Sequence, residues 1–130
     1  MDPKKMTEIF EQGVVFLPDL ETEANAKPWY PHPAMEGVFL KDLVTGKETG
    51  GKFSYHLVRV WKDHEVLDHD HDTQWEYNLI VSGKGTFVIG SKEVRIAPGQ
   101  SYFTPPKVHH TVSAGPEDIS LLAMFIPALV

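Results

Sequence analysis

The chain has 130 residues, 42% hydrophobic and 23% charged, enough for one domain with a real core and too few for two. Twelve basic against eighteen acidic residues give a formal net charge of −6, and no basic stripe appears, which excludes a nucleic-acid footprint. Cysteine is absent, so disulfides, zinc–thiolate sites and thiol catalysis are excluded, while seven histidines leave imidazole and carboxylate as the ligands for any metal.

The opening run, Met1 to Glu8, has no apolar signal core, and no stretch approaches the roughly 20 apolar residues of a membrane span. A soluble, cytoplasmic protein is expected. Met6, Ile9 and Phe10 fall at i, i+3, i+4, and Gly13 follows as a stop, which predicts a short helix. Val14–Leu17 reads as a strand. The segment Lys27 to Pro33 carries Pro28, Pro31 and Pro33 and is expected to be irregular. Val38–Val44 reads as a strand closed by a Thr45–Gly51 turn.

After Lys52 no segment holds a helical period for three turns. Turn signals recur at Ser82-Gly83-Lys84-Gly85, Gly90-Ser91, Pro98-Gly99, Pro105-Pro106 and Gly115-Pro116. Short runs rich in Val, Ile, Phe, Tyr and Thr lie between them: Phe53–Trp61, Glu76–Val81, Thr86–Ile89, Glu93–Ala97, Val108–Ser113 and Leu121–Ile126. That spacing predicts an all-β sandwich or barrel, and leaves no room for the crossover helices of a parallel sheet. Gly83-Lys84-Gly85 reads as a hairpin turn, too short for a phosphate loop. Residues 52–130 are expected to form this sandwich or barrel, and residues 1–51 to supply an arm and first strands that pack on it or on a partner subunit.

The chemistry concentrates in Asp63–Glu76. His69 and His71 are two apart, which on a strand points both rings to one face. Glu76 opens the next apolar run, and His109 or His110 offers a third imidazole after Pro105-Pro106. Two imidazoles, a carboxylate and a distant third imidazole suit a divalent transition metal.

These residues resemble the motifs of the cupin superfamily. Its first motif is G-x5-H-x-H-x(3,4)-E-x6-G, and His69, His71, Glu76 and Gly83 fall on its two H, its E and its final G. Its second motif is G-x5-P-x-G-x2-H-x3-N, and Gly99, Pro105 and His110 fall on its G, P and H. Counting from Pro105 selects His110 over His109, which alternation turns to the other face or the rim. Fifteen residues separate Gly83 from Gly99, similar to the short spacing of compact bacterial-type cupins. Asp63 and Lys107 stand where the motifs have glycine, and Ala114 where the second has Asn, so the Pro105–His110 loop is expected to differ in shape.

The resemblance implies an all-β cupin-type antiparallel barrel (a double-stranded β-helix or jelly roll) with an N-terminal arm. It implies a divalent metal (Fe, Mn, Ni, Zn or Co) held by His69, His71, Glu76 and His110, with positions left open for a small-molecule ligand. Because the family commonly pairs through segments outside its motifs, a homodimer is expected. No nucleic-acid or membrane partner is.

Arg59, His56 and Asn78 are the further pocket candidates. Arg59 shares a strand face with Tyr55, Leu57 and Trp61; facing inward it would grip a carboxylate, facing outward it is a surface arginine, the reading preferred. His56 alternates with Val58 and Val60, as a core or pocket-wall histidine does. Asn78 shares the face of Glu76. His64 and His32 are expected in loops, and Trp75, Tyr77, Tyr102 and Phe103 in the core or an interface. No Ser-His-Asp arrangement has positional support. The leading functional reading is a metal-dependent enzyme of oxygenase, isomerase or lyase type acting on a small oxygenated substrate. A ligand-binding or sensory module and a storage-type barrel are the alternatives.

Overall fold

The computed structural model describes residues 2–130. Helix α1 (Pro3–Glu11) starts earlier than the apolar spacing indicates. Asp2 caps it by accepting from the Lys4 amide at 3.0 Å, and Pro3 occupies the first turn, where its missing N–H costs nothing. Strands β1 (Val14–Leu17) and β2 (Leu20–Glu23) form a two-stranded sheet.

Two antiparallel sheets build the barrel. The larger runs β10 (Ser101–Thr104), β7 (Trp75–Ser82), β12 (Ile119–Ile126), β5 (Ser54–Val60), β4 (Val38–Val44), β3 (Tyr30–Pro31). The smaller runs β6 (Glu65–His69), β11 (His110–Ala114), β8 (Gly85–Ile89), β9 (Lys92–Arg95). This is the antiparallel jelly roll that the resemblance implies. Alternate residues of each strand meet between the sheets. Val38, Val58, Val60, Ile80, Ile119 and Leu121 from the larger sheet pack on Phe87 and Val112 from the smaller. Phe87 is fully buried and stacks on Tyr102 with centroids 3.9 Å apart.

The opposite face of the larger sheet carries Leu57, Val81 and Leu122, which the arm covers with Met6, Phe10, Val15 and Trp29. Thr7 of α1 bonds Ser82 of β7, hydroxyl to hydroxyl, at 2.6 Å. Lys41 is buried here; its ammonium donates to the Ala24 carbonyl at 2.9 Å and lies over the Trp29 ring. Cation–π attraction and a snorkelling stem make that burial tolerable.

Several local expectations change. Tyr30–Pro31, inside the proline-dense segment, is an edge strand, where Pro31 need not donate to a second neighbour. The Thr45–Gly51 turn holds a short helix, α2 (Gly46–Thr49), closed by a Thr45–Glu48 capping box. Gly83 to Gly85 is not a hairpin: β7 and β8 belong to different sheets, and the segment carries the chain between them. A Cβ on Gly85 would lie 1.9 Å from the Ser113 carbonyl oxygen, so backbone proximity selects glycine there. Of the four aromatics, Tyr102 joins the core, while Trp75 and Phe103 are 49% and 61% exposed.

Candidate metal centre

His69, His71, Glu76 and His110 converge, each offering one ligand atom within 4.8 Å of the others. His69 and His110 are direct partners in the β6–β11 pair of the smaller sheet, and Glu76 lies near the start of β7 in the larger. His71 sits past the end of β6, so its approach is set by the link to β7 and not by strand alternation. Lys107 donates its backbone N–H to the His71 carbonyl at 2.7 Å and holds that link down.

A bulge places His69. In β11 His110 and Val112 are two apart, but their β6 partners, His69 and Val66, are three apart. Strict alternation from the inward Val66 would point Asp68 and Asp70 inside and His69 out. One extra residue reverses the parity, the re-aiming role that bulges often play beside functional sites. Asp68 and Asp70 consequently face outward with His109, whose Nδ1 lies 3.2 Å from Asp68. His109 is 60% exposed and outside the cluster, as the motif count indicates.

Each ring orientation has a visible cause. His69 Nδ1 lies 2.7 Å from the Leu67 carbonyl and His110 Nδ1 lies 3.1 Å from the Val108 carbonyl. A carbonyl only accepts, so each Nδ1 carries the proton and each Nε2 points inward, the arrangement metal-ligating histidines use. Glu76 Oε1 lies 3.1 Å from His71 Nε2 and 2.9 Å from His110 Nε2. Asn78 Nδ2 donates to Glu76 Oε2 at 2.9 Å. Burial alone would raise the Glu76 carboxyl, but the bonds from His110, His71 and Asn78 and the His110 charge hold it at about 2. Burial lowers His110 too, yet the bond and charge of Glu76 outweigh it and the net shift is upward. His69 has no such partner, and burial pushes it down.

Of the three further candidates, only Asn78 touches the cluster. His56 is 1% exposed and stands one residue back: its ring packs edge-on against Phe125 at 5.6 Å, and Phe125 packs against His71 at 5.0 Å. His56 Nδ1 donates to Asp42 Oδ1 at 2.7 Å, Tyr30 donates to the same oxygen, and Nε2 meets Ser54 Oγ at 2.8 Å. A Ser–His–Asp chain therefore exists where the sequence offered no support for one. Ser54 is fully buried and accepts from the Leu129 amide, so it ties down the C-terminal segment and is no nucleophile. Arg59 lies on the outer face, as preferred, paired with Glu11 of α1 and stacked on Trp29 at 5.2 Å. His64 and His32 are loop residues, His64 packed edge-on against Trp61.

The two residues that replace a motif glycine keep glycine's conformation. Asp63 has φ +62° and Lys107 φ +67°, both in the left-handed region. The Pro105–His110 loop thus contains the left-handed residue at the position where the motif puts glycine. Thr104, buried at 1% directly opposite Glu76 on β10, carries no local sequence signal, because nothing but register brings it to the site.

A family model described as a cupin domain matches residues 56–125, more than half the chain, and the chain belongs to that family. No curated protein sequence matches. Similar solved structures include a predicted oxalate decarboxylase from Thermotoga maritima (TM-score 0.74, 22% identity, 82% of this chain and 97% of that one). Others are KdgF from Halomonas sp. (0.71, 16%, 82% and 91%) and the DMSP lyase DddQ from Ruegeria pomeroyi (0.68, 16%, 82% and 59%). At these identities they speak to the fold.

Proposed function

We propose that this cupin is a metal-dependent enzyme acting on a small oxygenated molecule, with a divalent transition metal held by His69, His71, Glu76 and His110. The convergence of three imidazoles and one carboxylate inside the barrel carries the reading. The donor set fits such an ion: borderline nitrogen ligands with one anionic oxygen suit Fe, Mn, Ni, Co or Zn. A bound ion would supply Lewis acidity toward a substrate oxygen. The chain's own contributions are orientation and exclusion of water. Leu67 and Val108 carbonyls fix two rings, Asn78 fixes the carboxylate, and Phe125 walls the site on the side of His71.

Oxygenase, isomerase and lyase chemistries all suit such a centre. Natively expressed protein should contain close to one transition metal per chain by elemental analysis. A metal-replete sample screened under air against sugars, uronates, diketones and phenols should turn one over, and lose that activity on chelation. Activity that survives complete metal removal refutes the proposal; saturable binding without product over hours would make the protein a ligand-binding module.

We also expect a cytoplasmic homodimer. No helix among the described residues is long and apolar enough to cross a membrane. Trp75, Ile126 and Phe103 lie exposed on the neighbouring strands β7, β12 and β10, and Phe16 on β1, apolar side chains that a partner subunit would cover. A concentration-independent monomer at micromolar levels in analytical ultracentrifugation would overturn the dimer.

A further inference from the structure

Two buried polar atoms beside the centre have no hydrogen-bond partner among the described residues. They are Asn78 Oδ1 and Thr104 Oγ1. Both side chains are at least nine-tenths buried, at 2% and 1% exposure. Both stand on the inner face: Thr104 pairs with Glu76 across β10 and β7, and Asn78 is two residues from Glu76 on β7. Buried polar atoms are normally paired, so two left unpaired in one place call for a physical reason.

The orientation of Asn78 is not free. Ionised Glu76 only accepts, so the amide must turn Nδ2 toward it, and Oδ1 is left facing away as a bare acceptor. Thr104 adds a hydroxyl able to give or take a hydrogen bond. On the other side of Asn78 the inner row continues with Ala123, a small residue, and then with His56, already bonded to Asp42 and Ser54. The cations nearest in the sheet, Lys41 and Arg59, belong to the opposite face. A second anionic group would meet the Asn78 carbonyl and Glu76 with nothing to neutralise it. A neutral donor satisfies both orphans.

We propose that Asn78 and Thr104 are the specificity-determining pair of this site, binding a hydroxyl of the ligand next to the group held at the centre. The ligand class is a small molecule with a metal-binding oxygen flanked by a free hydroxyl, such as a 2-hydroxy acid or a vicinal hydroxy-carbonyl compound. This deepens the metal-dependent reading and rests on it.

Glycolate and acetate are the probes, since they share a carboxylate and differ in one hydroxyl. Metal affinity is measured first by competition titration, then the affinity of each probe for metal-saturated protein by calorimetry. Glycolate chelates better than acetate in any setting, and that advantage cancels when the preference is compared between proteins. Thr104→Val should bind metal as the wild type does and lose roughly three- to tenfold of the glycolate preference, the worth of one hydrogen bond. Thr104→Ser should restore it, and Asn78→Ala at saturating metal should lose it similarly. An unchanged preference in Thr104→Val and in Asn78→Ala, each measured at saturating metal, overturns the pair's role and leaves the two residues holding water only. Failure of the wild type to bind metal overturns the metal reading and this inference together.

Discussion

Replacing Lys107 by glycine should stabilise this protein, although it removes a side chain. Lys107 holds φ +67°, where the Cβ of an L-residue crowds the following carbonyl at a cost of about 1–2 kcal/mol. Glycine escapes that cost but loses about 0.5–1 kcal/mol through the greater freedom of its unfolded chain. The difference is a gain of about 0.5–1 kcal/mol. With an unfolding entropy of about 2.1 cal/mol/K per residue, it raises Tm by roughly 2–4 °C for a chain of 130 residues. The Lys107 amide bond to the His71 carbonyl survives, since glycine keeps the donor. The assay is thermal and urea unfolding of chelator-treated protein, so that ligation contributes nothing. Lys107→Ala is the control: it removes the same charge and stem but keeps the Cβ, and should gain nothing. Equal gains in K107G and K107A would refute the conformational argument. Asp63→Gly should gain less than K107G despite a similar φ, because aspartate tolerates the left-handed region better.

Gly85→Ala should cost about 2 kcal/mol or more, because its Cβ meets the Ser113 carbonyl oxygen of the neighbouring strand; urea denaturation reads it. Burial would raise Asp42, but the bonds from His56 and Tyr30 outweigh it and hold its carboxyl below the usual value. A depressed folded value means stability fully present above the unfolded value of about 3.9 and lost as pH falls through the folded one. Asp42→Asn should therefore be less stable than wild type at neutral pH and converge with it in acid, checked by melting both from about pH 7 to 2. His110→Ala should weaken metal binding by more than the roughly 10–100-fold expected for Asn78→Ala, which removes only a supporting partner of Glu76. Competition titration ranks the two, and an affinity in H110A equal to wild type would remove His110 from the ligand set.

The fold was largely legible because inner-face residues alternate with period two along most strands, and glycine and proline punctuate them. The convergence of His69, His71, Glu76 and His110 was legible for a different reason: the motif spacing carries the geometry. His-x-His on one strand face was sound as a pattern, but the structure reaches it by another route, a bulge in β6 for His69 and a held-down link for His71. A bulge leaves no mark in periodicity, since it is defined by the partner strand. Thr104 and the Tyr30–Asp42–His56–Ser54 chain were illegible for a related reason. Each depends on register between strands far apart in sequence, which no local pattern encodes. The exposure of Trp75 and Phe103 was hidden because composition cannot tell which sheet face the arm covers.

The convergent side chains come from both layers of the barrel. His69 and His110 belong to the smaller sheet, Glu76 to the larger, and His71 to the strap between them. The sheets otherwise meet through non-directional apolar packing, which tolerates sliding. A joint made of three imidazoles and one carboxylate has fixed angles and tolerates very little. An ion held there would act as a rivet between the two leaves: neither could peel away by itself without breaking directional bonds. With an ion bound, binding chemistry and mechanical cohesion would rest on the same four side chains, and a substitution that spoils one should loosen the other.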